Sequence, residues 1–116
     1  LHMSGSIGTD ELQSLHDLVS ELYDPVTTSY VQRTAAPAQF QAYIRNRGAL
    51  ANQADELSQA DLQRLLNALN ANAVSFQTAT ASLNRTLNQL NDLATLLANL
   101  ESVVAVAAQI AKVVAA

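Results

Sequence analysis

The chain has 116 residues, enough for one domain, with a formal net charge of −4 and no cysteine. The missing cysteines exclude disulfides, thiolate nucleophiles and cysteine-based metal sites, and six basic residues scattered over the whole length are unlike the clustered Lys and Arg of a nucleic-acid binder. Hydrophobic residues make up 49% of the chain and charged ones 14%, with three glycines and two prolines, a composition too poor in turn residues for an all-β protein.

Leu1-His2 ahead of Met3 reads as a cloning remnant, and residues 1–8 as a flexible lead before a single helical domain over 9–116. Residues 3–24 carry Asp10, Glu11, Asp17, Glu21 and Asp24, where a secretory signal would have a basic start and an apolar run. The expected location is therefore cytoplasmic, with signal-independent export as the other route. Thr9 with Asp10 and Glu11 suits a helix start, a capping hydroxyl followed by acids at the positive end of the dipole. Leu12, Leu15, Val19 and Leu22 then recur at helical spacing and Leu18 widens the stripe, which predicts an amphipathic helix over 10–23.

Asp24-Pro25 ends that helix and starts the next, because proline disfavours the α conformation before it but suits a first helical position. The second segment, 25–35, holds Val26, Tyr30 and Val31 on one side. A third begins at Pro37. Phe40, Tyr43, Ile44, Leu50, Ala54 and Leu57 keep helical phase through Gly48, so one helix is expected over 37–57, with a turn at Arg45 to Gly48 as the alternative. Ser58-Gln59-Ala60-Asp61 resembles a capping box and places a break near the midpoint.

Beyond it, Leu62, Leu69, Phe76, Leu83, Leu90, Leu97, Val104 and Ala111 recur at every seventh position. That period predicts a long helix with a supercoiling tendency, about 85 Å from 59 to 115. Bends are possible at Asn70-Ala71-Asn72 and at Asn99 to Ser102. The expected architecture is all-α: an antiparallel helical hairpin or bundle with one long, heptad-patterned C-terminal helix. With the turn near Ser58, residue numbers summing to about 116 share a height. Phe40 then faces Phe76, Tyr43 lies beside Ala73, Leu22 approaches Ala94, and Val19 approaches Leu97.

Little in the sequence suggests catalysis. His16 is followed by Asp17, with Glu21 five residues on; a catalytic reading would need a nucleophile or a second base aimed at the same point, and His16 reads instead as a polar residue at the edge of the first helix. There is no Glu-x-x-His or His-Glu-x-x-His motif, and Gly5, Gly8 and Gly48 are isolated. No catalytic, metal or cofactor site is assigned, and no cofactor is expected. The acidic first helix and Arg33, Arg45 and Arg47 read as ion pairing or as a docking face. Tyr23, Tyr30, Tyr43, Phe40 and Phe76 read as core. From Asn67 to Asn99 the polar face carries seven asparagines with only Arg85 and Asp92 as charges, a face able to pack on another helix without burying charge.

The C-terminal stretch is apolar almost all round, and an uncharged run of ten residues lies between Glu101 and Lys112. Such a helix is buried in protein or lipid, and this run is short for a bilayer. The expected function is a non-catalytic helical protein-interaction module serving self-assembly, scaffolding or the chaperoning or neutralising of a partner. The partner is protein: a homo-oligomer, dimer or tetramer, without nucleic acid. Its interface would be Leu97, Leu100, Val103, Val104, Val106, Ile110 and Val113, and its core layer Phe40, Phe76, Leu83, Leu87 and Leu90. The alternative is a membrane-active protein that releases its C-terminal helix at a bilayer.

Overall fold

A computed structural model describes residues 3–115, and among them the chain forms six helices. They are α1 (Met3–Tyr23), α2 (Pro25–Thr34), α3 (Pro37–Ser58), α4 (Leu62–Ala71), α5 (Ala73–Asn88) and α6 (Leu93–Ala115). Leu1-His2, read as a cloning remnant, lies outside the described residues. The first helix begins at Met3, ahead of the start expected at Thr9. Extending an existing helix costs far less than nucleating one, so weak local propensity does not stop it.

The chain's punctuation explains the first three elements. Asp24 caps α2, its Oδ2 accepting from the Val26 N–H at 3.0 Å, and Pro25 opens that helix. Pro37 opens α3, where the Gln39 side chain reaches back to accept from the Ala36 N–H at 2.9 Å. The helix runs through Gly48 as expected, and a Cβ placed there would meet open space. Asp61, not Ser58, caps the following helix, with its Oδ2 accepting from the Arg64 N–H at 3.1 Å. Ser58 is the last residue of α3 and returns its hydroxyl to the Ala54 carbonyl at 2.8 Å.

The single long C-terminal helix does not form. The longest dimension of the molecule is 44 Å, half of what an unbroken rod would need. One break falls at Asn72, whose amide and backbone both donate to the Ala68 carbonyl, at 2.8 and 3.2 Å. The other falls at 89–92 rather than at Asn99 to Ser102. Asp92 starts α6 there, accepting from the Thr95 N–H at 3.3 Å and the Thr95 hydroxyl at 2.8 Å. These bonds hold the Asp92 carboxyl below its usual pKa.

The breaks let α6 return through the bundle, where it packs against α3, α4 and α5, while α1 lies on α3 and α5. The hairpin register about Ser58 is thereby corrected. The chief neighbours of α3 are α6 and α1, so Phe40 and Phe76 stand on helices joined through those two. Leu15, Leu22, Tyr43, Leu50, Leu57, Leu83, Leu96, Leu100 and Ile110 are fully buried and form the centre of the core. Of the heptad series, Leu69, Phe76 and Leu83 are buried, Leu90, Leu97, Val104 and Ala111 pack at its edge, and Leu62 is exposed.

Candidate functional site

The 18-residue stretch of α6 that is most apolar is only 33% buried inside the chain, and α6 is, among the described residues, the one helix long and apolar enough to cross a membrane. Its inner stripe is Leu96, Leu100, Val103, Ala107 and Ile110, all buried. Its outer stripe is Ala98, Glu101, Ala105, Ala108, Lys112 and Ala115, all exposed. Leu97, Val104 and Ala111 form a half-buried shoulder beside it, and Val106 is likewise half-buried. The expected interface therefore divides. Leu100, Val103 and Ile110 belong to the chain's own core, Leu97, Val104 and Val106 stand at its edge, and Val113 is exposed. The sequence makes this helix apolar almost all round, and periodicity alone does not say which side a chain keeps for itself. The exposed alanine stripe was missed because alanine reads equally as core or surface.

Within the expected core layer, Phe76, Leu83 and Leu87 are buried while Phe40 and Leu90 sit at its margin. The amide-rich face is divided among tasks. Asn72 forms a helix junction, Asn99 donates to the Ser82 carbonyl at 3.3 Å to tie α6 to α5, and Asn84, Asn88 and Asn91 are exposed.

Between α1 and α5 runs an open groove of about 640 Å³ lined by Ser14, Asp17, Glu21, Gln77, Thr80 and Asn84. A second hollow of about 430 Å³ shares Gln77 and is lined by Glu11, Leu66, Asn70 and Ala73. The Glu11 Oε1 is buried without a hydrogen-bond partner. Burial first, and then the neighbouring Asp10 charge, raise its pKa above 4.5. A carboxyl with a raised folded pKa binds more protons folded than unfolded, so its contribution worsens as the pH climbs through and above that value. Glu11→Gln is therefore expected to raise the melting temperature at pH 7. The gain should vanish below about pH 4, where both states are protonated. Thermal denaturation of both proteins at the two pH values checks this, and a gain independent of pH would contradict it.

His16 meets a hydroxyl after all: its Nε2 lies 2.8 Å from the Ser58 Oγ. That serine gives its proton to the Ala54 carbonyl at 2.8 Å, so the imidazole N–H donates to the oxygen. A nucleophilic serine needs the opposite traffic, with the ring accepting the hydroxyl proton. The pair ties α1 to the end of α3.

Arg33, Arg45 and Arg47 do not act as a set. Arg33 and Arg45 are exposed, whereas Arg47 turns inward to donate to the Leu22 carbonyl at 3.2 Å and the Thr28 hydroxyl at 3.1 Å. Its guanidinium stands 4.0 Å from the centroid of the Tyr23 ring. Tyr43 is core, and Tyr30 packs at its edge.

Comparison with protein families, curated proteins and solved structures returned no match.

Proposed function

We propose that the chain is a non-catalytic protein-interaction module that assembles with copies of itself through the outer side of α6. The observation that carries this is the contrast between the composition of α6 and its burial. The helix has two charges, Glu101 and Lys112, yet only a third of its most apolar stretch is buried, its exposed side being chiefly alanine with Val113. A helix this apolar is ordinarily covered by protein or lipid; here α3, α4 and α5 cover its inner side and leave an outer side of alanines with Glu101, Ser102, Gln109 and Lys112 exposed. Alanine across the outer face permits a close approach between helix axes, near the short end of the usual 8–10 Å. Scaffolding or neutralisation of another protein would use the same face.

Ala105→Glu should test the reading. Light scattering at micromolar concentration is expected to give a dimer or tetramer for the parent chain and a mass near the monomer for the variant. The helical signal and melting of the fold itself should change little, because Ala105 is exposed. A parent chain that is monomeric at this concentration would overturn the proposal.

Membrane insertion of α6 is the competing reading, favoured by the length and composition of that helix. It would require withdrawing Leu96, Leu100, Val103 and Ile110 from the core, each contributing about 1.5–3 kcal/mol through burial. Liposome flotation of the intact chain separates the two: recovery with the vesicles would favour insertion, and recovery in the soluble fraction as a dimer or tetramer would favour self-association.

A further inference from the structure

On the exposed side of α6, flanked by the exposed Ser102 and Gln109, one stripe reads Ala98, Glu101, Ala105, Ala108, Lys112, Ala115, spaced alternately by three and four, the spacing of a seam between two helices. It is also symmetric under reversal. Position 98 pairs with 115, 101 with 112, and 105 with 108, each pair being centred between residues 106 and 107. The alanines map onto alanines, and the single acid maps onto the single base.

We infer that two copies of the chain pair α6 against α6 in antiparallel orientation, centred between Val106 and Ala107. This rests on the self-association reading above and adds its partner geometry. A two-fold axis makes the contact isologous, so the same patch serves both copies and the assembly closes. Glu101 of each chain then faces Lys112 of the other, giving two reciprocal ion pairs. Ala105 and Ala108 occupy the centre, where small side chains admit the closest approach. The half-buried shoulder of Leu97, Val104 and Ala111 lies beside that seam and supplies apolar cover. A parallel pair in the same register would set Glu101 against Glu101 and Lys112 against Lys112, so the charges select orientation as well as partner.

Charge reversal tests orientation and register together. Sedimentation equilibrium is expected to show that Glu101→Lys and Lys112→Glu each weaken the dimer by about tenfold or more. The double variant E101K/K112E should regain the parent affinity, since the pairs are restored with their signs exchanged. The chain has no native cysteine, so Ala105→Cys and Ala108→Cys give a second reading. Mixed in equal amounts and oxidised, they should cross-link to each other in preference to themselves, whereas a parallel pair would favour self-cross-links. A parent chain that is monomeric would defeat the self-association reading itself. A parent dimer whose double variant stays weak, or whose cysteines prefer their own kind, would defeat only the antiparallel register.

Discussion

Leu83→Asp should unfold the bundle at temperatures where Asn84→Asp leaves it intact. The two residues are neighbours on α5, but Leu83 is fully buried and Asn84 is exposed on the wall of the groove facing α1. Aspartate at 83 removes a packed side chain and puts a charge where no partner is available, which costs roughly 3–5 kcal/mol or more. Domains of this size are stable by about 5–15 kcal/mol in total, so the loss is a large share. At Asn84 the change should stay within about 0.5 kcal/mol. The same contrast should hold for Leu87 against Asn88. It should shrink for Leu90 against Asn91, because Leu90 is only half-buried and sits in the link before α6. Chemical denaturation monitored by circular dichroism measures all six, and equal shifts for the leucine and asparagine sets would mean that α5 turns its other face inward.

That contrast was legible in the sequence because Leu83, Leu87 and Leu90 lie at helical spacing on one side of an otherwise amide-rich segment. The start of α2 at Asp24-Pro25, the continuity of α3 across Gly48 and the bend at Asn72 were legible for similar reasons. Each depends on a local rule of backbone chemistry that the residues announce. The link at 89–92 was hidden by the heptad itself. Leu83, Leu90 and Leu97 keep their seven-residue interval across it, so periodicity continues where the helix stops. The available signal was Asp92 with Thr95 three positions on, a helix start of the Asp61–Arg64 kind. Missing that start lengthened one helix into a rod and displaced every contact inferred across the Ser58 turn. The outer stripe of α6 was illegible for a different reason. Which side of an all-apolar helix faces outward depends on where its neighbours lie, and that is settled only by the return of α6 between the other helices.

The junction of α1 and α2 supports the last expectation, that Tyr43 and Arg47 act as one cap. In an unbroken helix the Leu22 carbonyl would accept from the Val26 N–H. Here that N–H is taken by Asp24, because the Asp24-Pro25 pair ends α1. The freed carbonyl accepts instead from the Tyr43 hydroxyl, from the Arg47 guanidinium and, at 3.5 Å, from the Thr28 hydroxyl, and the positive charge also suits a helix C-terminus. Tyr43→Phe and Arg47→Met should each be tolerated at about 1–2 kcal/mol, since either donor left in place still serves the carbonyl. Removing both leaves that acceptor with only the long contact from the Thr28 hydroxyl, at 3.5 Å. The double variant is therefore expected to lose about 1 kcal/mol more than the sum of the singles, beyond the 0.3–0.5 kcal/mol within which independent sites add. Burial is also the main influence on the Tyr43 hydroxyl, raising its pKa above 10.0 against the opposing pull of Arg47. The folded state then holds that proton where the unfolded chain has begun to lose it, so stability should decline as the pH rises past about 10. Tyr43→Phe should abolish that tyrosine's share of the decline, leaving a shallower alkaline loss than in the parent chain. Additive singles together with an unchanged alkaline limb would show that the two side chains serve the helix end independently.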